Sequence, residues 1–101
     1  MAVSCTCEER VLTASLSGEV DHHAAKQIME KLDSRIEREL PRCLRVDLSA
    51  VTFMDSSGIA VLLRAYRRMA ALEGSVQVVN IPRQSERVLK AAGLQRIMKF
   101  E

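Results

Sequence analysis

Between Val11 and Ser17 the chain alternates, with Leu12, Ala14 and Leu16 on one side and Thr13, Ser15 and Ser17 on the other. A period of two marks a half-buried strand. Residues 3–7 read as a second strand paired with it through a turn at Glu8–Arg10, and Gly18 reads as the strand's end. From His22 to Leu40 the period lengthens. Ala25, Ile28, Met29, Leu32 and Ile36 fall at helical spacing among interleaved Lys, Arg, Asp and Glu, which describes an amphipathic surface helix. Asp21 is placed to cap its start, and Pro41 stops it. Leu44, Val46 and Leu48 alternate with Arg45, Asp47 and Ser49, giving another strand, and Ala50–Ser57 reads as a loop. Gly58–Leu72 is the next helix, with Ile59, Leu62, Leu63, Tyr66 and Met69 expected inward and Gly74 as its C-terminal cap. Val76–Val79 is a strand. Pro82 opens a third helix whose Val88, Leu89 and Ala92 are expected to face the core, and Gly93 ends it. Leu94–Phe100 is a short apolar tail, read as an edge strand.

Strands that alternate with helices need crossover connections and therefore a mostly parallel sheet. The antiparallel first pair makes that sheet mixed. The expected fold is α/β: one domain over residues 1–101, with a mixed, mostly parallel β-sheet flanked by α-helices. The length of 101 residues suits one small domain with one core. There is no repeat, no low-complexity tract and no Gly/Ser linker.

Composition narrows the function. Apolar residues are 48% and charged residues 28% of the chain, a globular mixture that argues against disorder. The longest apolar runs, such as Ile59–Leu63, are far below the roughly 18 residues of a membrane span. The start MAVSCTCEER lacks the basic and apolar segments of a signal peptide, so a cytoplasmic protein with no membrane partner is expected. A net charge of +2 and only three aromatics, Phe53, Tyr66 and Phe100, give no footing for direct nucleic-acid binding. The charge is nevertheless uneven. Residues 1–63 carry ten acids and seven bases, and residues 64–101 three acids and eight bases, which points to two electrostatic faces and a protein partner.

Cys5, Cys7 and Cys43 are odd in number, so reduced thiols are expected. A metal site from these cysteines and His22–His23 lacks any C-x2-C or H-x3-H spacing, and buried apolar cysteines are the better reading. No cofactor is expected. His22 and His23 invite a serine-hydrolase reading, but no G-x-S-x-G elbow exists. No G-x4-G-K-[ST] or G-x-G-x-x-G is present either, which leaves the alternative of a nucleotide-binding or hydrolysing module without a phosphate loop. Arg64, Arg67 and Arg68 read as a solvated helix face, and Met29, Met54, Met69 and Met98 as core or loop filler. Phe53 and Met54 are expected to anchor the loop before Asp55 from beneath.

The segment richest in chemistry is Asp47-Leu-Ser-Ala-Val-Thr-Phe-Met-Asp-Ser-Ser-Gly58. It leaves a strand and enters a helix, and helix starts favour anions and short hydroxyl side chains. Taken alone, Asp55 or Ser56 is an ordinary N-cap.

Together with Gly18-Glu-Val-Asp-His-His-Ala-Ala25, Gly74-Ser-Val-Gln-Val-Val79 and Val88-Leu-Lys-Ala-Ala-Gly-Leu94, that segment resembles the anti-sigma-factor antagonist family of STAS domains, nearest its sporulation branch. The matching stretches run in the family's order over nearly the whole chain; Ile59-Ala60 departs from the commoner Leu-Gly. The resemblance implies a binding protein and not an enzyme, with another STAS-type regulatory role as the alternative within the family. In its unphosphorylated state such a protein engages an anti-sigma factor that is also a serine kinase, and the sigma factor is freed for transcription. Phosphorylation ends the interaction, and a serine phosphatase reverses it. The resemblance places the phosphorylated residue at Ser56 and the partner-binding residues at Asp21, Asp55, Ser56, Ser57 and Gly58, in a chain expected to act as a monomer.

Overall fold

The computed structural model describes residues 3–101, in the order β1 (Val3–Glu8), β2 (Val11–Val20), α1 (His22–Glu39), β3 (Cys43–Met54), α2 (Ser57–Ala71), β4 (Ser75–Val79), α3 (Arg83–Ala91) and β5 (Lys99–Phe100). A 3-10 turn, Leu94–Arg96, precedes β5. The five strands lie in sequential order, β1-β2-β3-β4-β5, in one sheet. β1 and β2 are antiparallel, and every later neighbour pair is parallel. The hairpin turns at Glu9 and Arg10, both with positive φ. Two consecutive left-handed residues twist a two-residue turn in the sense that adjoining strands require. Of the tail expected as an edge strand, only Lys99–Phe100 pairs with β4, while Leu94–Arg96 forms the 3-10 turn.

Sequential order decides where the helices go. Three right-handed crossovers that all step in the same direction across the sheet put their helices on the same face. The strand side chains follow suit: Leu12, Ala14, Leu16, Leu44, Val46, Leu48, Val76 and Val78 are buried beneath the helices. Thr13, Ser15, Arg45, Asp47 and Gln77 form the opposite, uncovered face. The helices therefore flank the sheet on one side only. On the uncovered face the Asp47 carboxylate accepts from the Ser49 amide (2.9 Å) and from the Asn80 side chain (3.2 Å).

Four sequence expectations shift. β2 does not end at Gly18 but runs on to Val20, through register shifts opposite β3. β3 likewise extends to Met54, because its second half pairs with that extension, so the expected loop over 50–57 shrinks to Asp55 and Ser56. The buried face of α2 is Gly58, Val61, Leu62, Ala65 and Met69, with Ile59, Leu63 and Tyr66 only partly covered. Small residues on that stripe let the helix lie close to the sheet, and the larger ones pack along its flanks. In α3 the buried positions are Ser85 and Leu89, Val88 is half-buried and Ala92 is exposed.

Gly74 acts differently from the expected cap. The left-handed residue is Glu73 (φ 58°), while the Gly74 amide donates to the Met69 carbonyl. Glycine is needed at position 74 for space: a Cβ there falls 2.6 Å from Met69 Cε and 2.7 Å from the Arg42 carbonyl oxygen. The arginine face of α2 is also not simply solvated. Arg64 and Arg68 both close on Asp33 of α1, at 2.7 and 2.8 Å, tying the two helices together.

Two outcomes are expected. Gly74→Ala destabilises by about 1–3 kcal/mol, since Met69 can shift but the Arg42 backbone cannot; urea unfolding measures it. The second concerns pH. The amide of Ser49, and then the other groups around it, hold the Asp47 carboxyl below its ordinary 3.8. A depressed folded-state value stabilises above the unfolded-state value and is lost as pH falls through the folded one. Asp47→Asn should therefore flatten the fall in Tm as pH drops through and below the ordinary 3.8, and a slope equal to that of the wild type would dismiss the assignment.

Candidate functional site

The parallel pairing of β2 with β3 ends at Val20 opposite Met54. The next residue of each strand is an aspartate, so Asp21 and Asp55 emerge side by side at one end of the sheet. The Asp55 amide donates to the Val20 carbonyl (3.2 Å), which locks the two exits together. Each aspartate then starts a helix. Asp21 is the N-cap of α1, its Oδ1 accepting from the Ala24 amide at 2.9 Å. Asp55 Oδ1 accepts from the Ser57 amide at 2.7 Å, and its carbonyl accepts from the Gly58 amide at 3.0 Å.

This geometry resolves the choice between Asp55 and Ser56 as cap. The carboxylate of Asp55 does the capping, although Ser56 occupies the formal N-cap position. Ser56 has helical dihedrals (φ −61°, ψ −15°), makes no side-chain cap hydrogen bond and is exposed, whereas Ser57 is half-buried. Of the two adjacent hydroxyls, the first is presented to solvent. The Ile59 amide is bonded to the Ser56 carbonyl. The amides of Ser57, Gly58 and Ile59 are thus already satisfied within the loop.

Beneath the loop lies Met54, 1% exposed. The expectation that Phe53 shares this anchoring fails: Phe53 is 44% exposed, because strand alternation turns it away from the core while Met54 points in. Gly58 sits directly over the Met54 side chain, and a Cβ there falls 2.4 Å from Met54 Sδ. The glycine of the D-S-S-G segment thus lets α2 begin on top of the methionine. The Met54 backbone is held too. Its amide donates to Gln84 Oε1 (2.8 Å), and its carbonyl accepts from Gln84 Nε2 (2.7 Å). No periodicity or motif singled out Gln84, since its role depends on where β4 stops.

His22 and His23 are exposed on the first turn of α1 and, with Met29, Ala60 and Ser57, line a groove of about 710 Å³ between the starts of α1 and α2. Oδ1 of Asp21 and Oδ1 of Asp55 each accept from a backbone amide, so both carboxylates serve as helix caps beside this groove. The cysteines do not join this site. Cys43 pairs with Val11 at the far end of the sheet, and Cys7 pairs with Leu12, whereas His22 follows the near end. Among the described residues no group of three or more His, Cys, Asp or Glu side chains is placed to hold a metal. All three thiols are free but only half-buried, not fully buried as expected, because they sit toward the edges of the sheet; burial still pushes the Cys5 thiol above its usual range. No described helix is long and apolar enough to cross a membrane.

The fold is thus a one-faced α/β layer whose adjacent parallel strands end in two helix-capping aspartates, beside one exposed serine. The chain belongs to the STAS domain family, whose model matches residues 2–101. It is 34% identical over 88 residues to the anti-sigma F factor antagonist of Paenibacillus polymyxa, covering 87% of this chain and 75% of that protein. The solved structure of the anti-sigma factor antagonist SpoIIAA in its unphosphorylated form superposes with a TM-score of 0.86 at 28% identity, over 99% of this chain and 88% of that one. The Bacillus cell fate determinant SpoIIAA in its phosphorylated form gives a TM-score of 0.78 at 27% identity, over 99% of this chain and 91% of that one.

The capping assignment has a direct consequence. Asp55→Ala removes the acceptor for Ser57 and should cost about 0.5–2 kcal/mol, while Asp55→Asn should retain most of the stability. Equal losses in the two variants, read by chemical denaturation, would show that the carboxylate is not the cap.

Proposed function

We propose that this chain is an anti-sigma factor antagonist whose partner binding is switched by phosphorylation of Ser56. The observation that carries the reading is the division of labour at the start of α2: Asp55 caps the helix, and the Ser56 hydroxyl is left exposed and without a cap bond. A hydroxyl committed to capping resists entry into a kinase active site, and this one is not committed. The family, and relatives named as anti-sigma factor antagonists, support the same reading. So does a structural neighbour known in phosphorylated and unphosphorylated forms.

The partner is an anti-sigma factor that is also a serine kinase, and a serine phosphatase restores the modified form. Asp21, Asp55, Ser56 and Ser57 form the contact surface, with Gly58 shaping its edge. The chain acts in the cytoplasm as one STAS unit over residues 1–101, a monomer that contacts neither nucleic acid nor membrane and is not itself an enzyme. A nucleotide-hydrolysing module is the competing class, and incubation with labelled ATP alone separates the two. The switch predicts neither turnover nor self-labelling.

The switch works by charge. A phosphate on Ser56 adds about −1.5 to −2 at neutral pH. It arrives next to Asp55 and at the same sheet end as Asp21. The amides of Ser57, Gly58 and Ile59 are already bonded, so the helix start offers the phosphate little that is new. The folded chain is therefore left much as it was. At the partner surface the same group must be desolvated beside two carboxylates, which costs several kcal/mol when it is unpaired.

Ser56→Ala should take no phosphate from the kinase yet still bind it, whereas Ser57→Ala should still be labelled. Ser56→Asp should bind the kinase at least about tenfold more weakly, with a Tm within a few degrees of wild type. Calorimetry and thermal melts on the same samples read both. Full-strength binding by Ser56→Asp, or a phosphopeptide carrying the label on Ser57, would overturn the mechanism.

A further inference from the structure

β3 is 12 residues long, whereas β4 pairs only with its first part, Cys43–Asp47. Beyond Asp47 the edge of β3 that faced β4 has no strand beside it. Parallel pairing sends successive residues' amides to alternate sides. The Asp55 amide goes to β2, at the Val20 carbonyl, so the N–H and C=O of Met54 point to the vacated side. The Gln84 amide meets both, at 2.8 and 2.7 Å. One side-chain carboxamide supplies the donor and the acceptor that a continuing β4 would have supplied.

Gln84 is itself well placed to do this. It lies in the first turn of α3, is half-buried, and is followed by Ser85 and Leu89, which are buried in the core face of that helix. The main chain of Met54 is thus held by α3, its side chain lies under Gly58 of α2, and the next residue is bonded to β2. Three separate elements fix the residue two positions before Ser56.

We propose that Gln84 is a positioning residue for Ser56. Its carboxamide fixes Met54, and through Met54 the Asp55 turn that holds the serine hydroxyl out to solvent. It touches neither the serine nor any group transferred to it, and acts only through the backbone of β3. α3 thereby becomes part of the switch, although it contributes nothing to the contact surface. The loop-fixing role stands on the geometry alone, and its effect on phosphorylation rests on the function proposed above.

The test uses the full chain with Gln84→Met, which keeps the length and apolar stem but removes both hydrogen bonds. Amide exchange by NMR should show the Met54 and Ser57 amides exchanging at least about tenfold faster, with amides in the middle of α1 and β2 unchanged. In parallel, labelled ATP and the purified anti-sigma kinase should give a kcat/KM for Ser56 lowered at least about tenfold. Val88→Ala, chosen to match any loss of Tm, should be labelled at the wild-type rate. Wild-type exchange at Met54 in Gln84→Met would overturn the loop-fixing role. Faster exchange with unchanged labelling, or equal loss of labelling in Val88→Ala, would overturn the link to Ser56. Absence of labelling in the wild-type chain would instead count against the proposed function, and the exchange result would still decide the loop-fixing role.

Discussion

The end of the β2–β3 pairing governs the rest of the molecule. Val20 and Met54 are the last partners in a parallel register, and the Asp55 amide bonds across to the Val20 carbonyl. Parallel strands point their carboxyl ends the same way, so two helices must begin next to each other there. Each begins with an aspartate that accepts from a backbone amide two or three residues on. A slip of one residue in this register would exchange the inward and outward faces of β3 and bring Phe53 beneath the loop in place of Met54.

The consequence is a loop whose backbone is held on several sides. Met54 is buried to 1% and its side chain lies against the glycine that opens α2. Its backbone is bonded to Gln84, and its neighbour's carboxylate to Ser57. The backbone that carries the Ser56 hydroxyl is thereby held from three elements. Farther along the same helices, Asp33 receives Arg64 and Arg68 and holds the α1–α2 pair at a fixed spacing. Their arginine ends are solvent-exposed while Asp33 is mostly covered, so their weight lies more in geometry than in energy.

The one-sided arrangement of the helices has a functional side. Sequential strand order leaves no switch point in the sheet, so there is no crevice between oppositely wound halves of the kind that holds nucleotides in doubly wound folds. At the carboxyl ends the starts of α1 and α2 border the groove lined by His22, His23 and Ser57, and the first turn of α3 reaches Met54 through Gln84. The relatives of this chain are named as antagonists of anti-sigma factors.

Much of this was legible in the residues. Alternation at Leu12–Leu16 and Leu44–Leu48 and the 3.6-residue spacing of Ala25, Ile28, Leu32 and Ile36 determined the elements and their order, because both periods are local properties of the backbone. Asp21 as a cap and Gly93 as a helix stop were equally local. The D-S-S-G segment marked the site, but adjacent hydroxyls are chemically alike, and only the fold assigned the cap to Asp55 and left Ser56 exposed. Tertiary structure also carried β2 past Gly18 to Val20, turned Phe53 outward and gave Gly74 its close approach to Arg42. It likewise set Gln84 against Met54. In each of these cases the deciding partner lies some 30 residues away or on another element, where pairing and packing, not local preference, determine which atoms meet.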